Sequence, residues 1–145
     1  MKLRTSIIAA SAAVVLGSTG ALVLPAVASA HSTTHTLKFF SVTQKSINFS
    51  STSGAQQDTD FNATGKIIGF DMLYFKVASA TAANVNITGD ISGGFLYGTA
   101  TVSKSGQLTN GMVTGGTGSF AGAKGTITTK SITSKKTAVT IKNST

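Results

Sequence analysis

The 145-residue chain contains no cysteine. That excludes disulfides, cysteine-ligated metals and a lipid anchor on an N-terminal cysteine. Glutamate is absent too, so the only acids are Asp58, Asp60, Asp71 and Asp90. No arginine follows Arg4. Arginine is the side chain best suited to bidentate recognition of phosphates and bases. Its absence, together with the lack of any nucleic-acid-binding motif, argues against a nucleic-acid partner. Beyond Arg4 the ten basic residues are all lysines, which against four aspartates gives a formal net charge of +6. After Asp90 no acid occurs, while Lys104, Lys124, Lys130, Lys135, Lys136 and Lys142 follow. Such a basic half could attract anionic polymers. Scattered lysines also keep strand faces soluble and protect sheet edges, and that is the reading adopted.

The first thirty residues have the pattern of a secretory signal peptide. Lys2 and Arg4 form a basic start, and an apolar stretch from Ile7 to Val27 is broken by Gly17, Gly20 and Pro25. Ala28-Ser29-Ala30 supplies small residues for cleavage. The expected product is a secreted protein beginning at His31, with no membrane span after cleavage. Residues 31–145 suit one domain with one core.

Helical periodicity is absent from this region. Thr, Val, Ile and Phe dominate, and turn residues recur about every ten positions, as in an all-β sandwich or barrel. The pattern predicts strands near 35–44, 46–51, 65–77, 83–90, 94–104, 107–115, 119–131 and 136–143. Eight short strands suit a closed barrel, which abolishes sheet edges. Residues 52–64 read as the clearest loop. In the strand that follows, Ile68, Phe70, Met72 and Tyr74 share one face, and Ile67, Gly69, Asp71, Leu73 and Phe75 share the other. Both faces are mostly apolar, so both are expected to be covered, the outer one by a loop or by another copy in a trimer or dimer.

Several motifs fail on context. Gly116-x-Gly118-x-x-Ala121 matches a dinucleotide fingerprint, but a strand rather than a helix is predicted after it and no acid follows. Asp58-x-Asp60-x-Asn62-x-Thr64 begins like a calcium loop, but Ala63 and Gly69 stand where glycine and glutamate are required. It reads instead as an Asx-rich turn. His31 and His35 would lie about 13 Å apart in an extended chain, too far to share one copper ion. Neither a Ser–His–Asp arrangement nor a carboxylate pair emerges, so no metal or cofactor is assigned. Four Asn-x-Ser/Thr sequons, at Asn48, Asn62, Asn86 and Asn143, matter only in a eukaryotic host. Asp71 is the best polar candidate for catalysis. An ionised carboxylate inside an apolar strand is costly unless paired, so its pKa is open to being raised and the group to acting as an acid or base. The alternative is a structural role, bonded to backbone or tyrosine donors.

The segment Gly115-Gly-Thr-Gly-Ser-Phe-Ala-Gly-Ala-Lys-Gly-Thr126 resembles the signature of the allene oxide cyclase-like and dirigent-like barrels. Gly65-Lys-Ile-Ile-Gly-Phe-Asp71, Gly106-Gln-Leu108 and Thr137-Ala-Val-Thr-Ile141 add to the resemblance in order along the chain. It implies an eight-stranded antiparallel barrel with an apolar cavity, often trimeric. It also implies a role in binding a small apolar or amphipathic molecule, or in steering ring closure as a cyclase or dirigent-like isomerase. A barrel filled by its own side chains, with a surface role, is the third expectation. The plant cyclase's cavity glutamate and the dirigent arginine have no counterpart here, so no catalytic residue is carried over. Tyr74, Tyr97 and Phe120 are the candidates for lining the cavity.

Overall fold

The computed structural model describes residues 33–145, so the signal-peptide pattern and His31 lie outside the described residues. Eight antiparallel strands close into one barrel, each paired with its sequence neighbours and β8 paired back to β1. They are β1 (Thr34–Ser50), β2 (Ser53–Phe61), β3 (Ile67–Ser79), β4 (Ala82–Ile91), β5 (Gly94–Ser103), β6 (Leu108–Gly116), β7 (Lys124–Ser131) and β8 (Lys136–Ser144). A single 3-10 turn, Gly118–Phe120, interrupts the link from β6 to β7.

The count of eight matches the expectation, but three of the predicted boundaries do not. The two strands expected at 35–44 and 46–51 are one long strand, Thr34–Ser50, with bulges between Thr43 and Lys45 and between Asn48 and Ser50. Residues 53–61, read as loop, form β2. The predicted strand 119–131 begins only at Lys124.

Alternation sets the inside and outside of each strand. Along β4, Val85, Gly89 and Ile91 are buried while Asn84, Asn86, Thr88 and Asp90 are exposed. Along β5, Leu96, Gly98 and Ala100 are buried while Phe95, Tyr97 and Thr99 are exposed. Gly98 faces inward with no space beside it, because a Cβ there would come within 2.6 Å of Ile127 Cδ1.

The two ends of the barrel differ. At one end lie the chain start, where Thr34 pairs with Ser144, and the turns after β2, β4 and β6. The core gathers here: Phe39, Ile91, Leu96, Val113, Phe120, Ala123, Ile127, Val139 and Ile141 form one buried cluster. The glycine segment folds across this end. Ser119 N–H donates to the Gly93 carbonyl at 2.9 Å, and Thr117 N–H donates to that of Phe95 at 2.8 Å. Gly118 has φ +58°, and a Cβ there would collide with the Gly93 carbonyl, so the crossing requires glycine. Phe120, 8% exposed, is thereby held as a plug.

At the other end are the turns after β1, β3, β5 and β7. Here β6 and β7 separate. They pair only from Gly111–Ile127 to Val113–Gly125, so Leu108–Asn110 and Thr128–Ser131 face each other without a ladder. Asn110, at φ +51°, turns β6 aside at this point. Asparagine tolerates that left-handed conformation better than most residues.

The outer face of β3 shows Phe70, Met72 and Tyr74 to solvent, beside Phe95 and Tyr97 of β5 and Met112 of β6. The expected covering loop is not found among the described residues. The one exception is the end of β1, where Phe49 stacks on Tyr74 with ring centroids 6.2 Å apart. Lysines decorate this outside, as with Lys136, whose Nζ lies 4.3 Å from the Phe40 ring centroid.

Candidate functional site

Strands β1, β2 and β3 place five polar side chains inside the barrel. The inward positions of β2 are Gln56, Asp58 and Asp60, at a spacing of two. Asp58 pairs across the ladder with Asp71 of β3, and Asp60 pairs with Gly69. Asp60 therefore sits on the diagonal from Asp71, with no side chain opposite it. Ser41 of β1, opposite Asp60 in the ladder, points into the same group.

The polar group is graded from the mouth inward. Gln56 Nε2 donates to both oxygens of Asp58 at 2.9 Å and to Thr43 Oγ1 at 3.0 Å. Ser41 Oγ donates to Asp58 Oδ2 at 2.8 Å and lies 3.2 Å from Asp71 Oδ2. A hydroxyl has one proton, so Ser41 serves the two carboxylates in turn, with Asp58 the nearer acceptor. Deeper in, both oxygens of Asp60 and Oδ1 of Asp71 are buried without a protein donor. Asp60 is 0% exposed.

Burial pushes both groups up. Desolvation is the largest influence on Asp71, followed by the charges of Asp60 and Asp58, and its pKa rises to about 8. Asp60 rises to about 6 through desolvation, held back by a hydrogen bond from Asp71 and raised again by the Asp58 charge. No cation contributes to either shift. The two carboxyls behave as one unit: near neutral pH a single proton resides on Asp71 and is offered to ionised Asp60. That shared proton reconciles Asp60's lack of any N–H or hydroxyl donor with its hydrogen bond from Asp71.

The pair lines the smaller of two adjoining spaces. It is a cavity of about 60 Å³, walled by Leu73, Ile87, Leu96, Ile127, Val139 and Ile141. Next to it a mouth of about 690 Å³ opens between Thr43, Gln56, Phe75, Val102 and the separated strands β6 and β7. Leu108 and Thr129 line both spaces. The arrangement offers an acid, its conjugate base and an apolar wall within one recess, a combination suited to polarising or protonating a bound molecule.

The structure brings Asp71 into this recess, half-buried and facing inward. It does not bring Tyr74 and Tyr97 there. The pleat turns both outward, 41% and 39% exposed, because each is one residue away from an inward position. Phe120 belongs to the core cluster at the sealed end and is not among the residues lining the recess. Asp90 faces outward, paired with Phe70, on the opposite face from Asp71.

Asp58, Asp60, Ser41 and Gln56 were not foreseen. The available signal was the period-two spacing of Gln56, Asp58 and Asp60, which marks one face of a strand. The Asx turn exists, but only at Asn62, whose Oδ1 accepts from Thr64 N–H at 3.0 Å and Lys66 N–H at 2.9 Å. Among the described residues, no three His, Cys, Asp or Glu side chains are grouped to hold a metal ion.

No protein-family model matches the chain, and no curated protein matches it. Among solved structures it is similar to a pyocyanin demethylase, with a TM-score of 0.64 and 16% identity over 75% of this chain and 99% of that one. At that identity the likeness is one of fold. The chain is an all-β, closed, eight-stranded antiparallel barrel, similar in structure to the pyocyanin demethylase barrel.

Proposed function

We propose that this barrel binds a small amphipathic molecule through its open end, with the polar part of the ligand on Asp60 and Asp71. The observation that carries this reading is the buried carboxyl pair, with no donor but each other's proton for three of its oxygens, in an apolar cavity that adjoins an open mouth. Buried polar groups are normally satisfied, and a pair left short of donors at the floor of a recess is arranged for an incoming one. The neighbouring barrel's name assigns it the demethylation of pyocyanin, which supports a small-molecule role for this architecture. Kinship with the allene oxide cyclase-like barrels is part of the reading, supported by the glycine segment. So is export, supported by the pattern of the first thirty residues.

The test is native mass spectrometry of the protein purified from its own culture fluid. A stoichiometric extra mass, absent from a Thr129→Trp variant whose mouth is filled, is the expected result. The reading fails if that variant keeps the mass. It also fails if the wild-type protein carries none and a panel of amphipathic molecules leaves its Tm unchanged.

A second reading is favoured by one feature, two buried carboxyls on neighbouring strands, both pushed up by desolvation and close enough to share a proton. Such a pair suits proton transfer in an isomerisation, one carboxyl donating while the other accepts. In that case Asp71→Asn abolishes turnover while the bound mass remains.

A further inference from the structure

The recess has an imbalance of charge that a neutral ligand would leave in place. The cavity around Asp60 and Asp71 holds no basic group, and Asp58 adds a third carboxyl beside them. From β1 the recess is faced by Thr43 and Ser41, from β2 by Gln56, Asp58 and Asp60, and from β4 by Ile87 and Gly89. From β5 to β8 come Leu96, Leu108, Ile127, Thr129, Val139 and Ile141, none of them ionisable. The nearest lysine on this route, Lys130, lies on the rim of the mouth. Asp58 is satisfied by Gln56 and Ser41. The buried, unpartnered oxygens are the two of Asp60 and Oδ1 of Asp71, all acceptors once ionised. A metal ion would meet this need, but the required grouping of ligands is missing among the described residues. What remains is an organic group that brings positive charge and several N–H donors together.

We infer that the ligand is an organic cation with N–H donors, a protonated amine or amidine whose nitrogen sits on Asp60 and Asp71 and whose apolar body lies in the mouth. This rests on the binding reading above and specifies its substrate class. The sizes agree. The inner cavity of about 60 Å³ has space for little beyond the cationic head, while the mouth of about 690 Å³, with Phe75, Val102 and Leu108 on its sides, accepts a ring or short chain. Binding places a fixed cation where the shared proton resided. Near neutral pH it therefore releases that proton to solvent, leaving both carboxylates ionised against the ammonium.

The experiment compares matched probes by calorimetry at pH 7.5: butylamine, benzylamine and tryptamine against butanol, benzyl alcohol and tryptophol. Each amine is expected to bind roughly 10- to 100-fold more tightly than its alcohol, the range of a buried charge-assisted bond. The amine's apparent enthalpy should also change with the ionisation enthalpy of the buffer, reporting the released proton. Asp60→Asn and Asp71→Asn, each checked for a native circular dichroism spectrum, should each remove the amine preference, so that an amine and its matched alcohol bind equally. If alcohols bind as tightly as amines, the cation inference is overturned and the binding reading stands. The inference also fails if both variants keep the preference. Should no probe of either kind bind, the inference and the binding reading fall together.

Discussion

The two ends of this barrel solve opposite problems with the same strands. The sealed end is mostly apolar: a cluster of hydrophobic side chains, a glycine crossing held by backbone hydrogen bonds and a phenylalanine plug, with Asn143 Oδ1 the one buried polar side-chain atom there without a partner among the described residues. The open end keeps two carboxyls half-satisfied, a separated pair of strands and a polar rim. Packing at one end supplies the stability that allows the other to hold groups a core would reject. The difference predicts that the ends respond to mutation in distinct ways.

The largest effect should come from the plug. Phe120→Ala removes a buried aromatic ring and should cost about 3–5 kcal/mol. Chemical denaturation at several pH values should show the same loss throughout. A loss that varied with pH would mean that the ends are coupled and would break the comparison.

At the open end the sign reverses. Asp60 and Asp71 both hold protons more tightly in the fold than at the ordinary value of 3.8. Their contribution is therefore complete below about pH 4, where folded and unfolded chains are both protonated. It declines as pH rises through about 6 for Asp60 and about 8 for Asp71. Asp71→Asn should flatten that decline and stabilise the protein by about 1–3 kcal/mol at pH 9, since it removes a buried charge. Thermal unfolding from pH 4 to pH 9 checks this, and a variant less stable than wild type at pH 9 would contradict it.

A smaller effect is expected at Ser41, whose hydroxyl holds the Asp71 pKa down. Ser41→Ala should cost about 1 kcal/mol and move the Asp71 titration further up. Carboxyl carbon NMR shifts would follow it, and a titration moved downward would contradict the assigned role. The smallest effect is expected outside. Tyr97→Ser should change stability by less than about 0.5 kcal/mol and leave ligand retention unaltered. Weaker retention would bring the outer face into the site.

The sealed end was the more legible in sequence. Glycines at fixed offsets around Phe120 mark a close crossing, because only glycine fits where Gly118 meets the Gly93 carbonyl. Strand alternation also placed Asp71, Leu73 and Phe75 on one face, and they do share the interior. The open end was hidden by its own chemistry. A strand whose inward residues are Gln56, Asp58 and Asp60 has the composition of a loop, and its partners are set by ladder pairings rather than by sequence spacing. Tyr74 and Tyr97 misled for a related reason: aromatic character suggests a pocket wall, while the pleat alone decides which side a residue faces. The long bulged β1 likewise read as two strands because the bulges interrupt its alternation.

The pairing of Thr34 with Ser144 has a practical consequence. The C-terminus leaves the barrel at the sealed end, so a tag placed after Thr145 that anchors the protein to a surface would turn the mouth toward the bulk liquid. An array of molecules immobilised in this way would present its binding recesses in one common orientation.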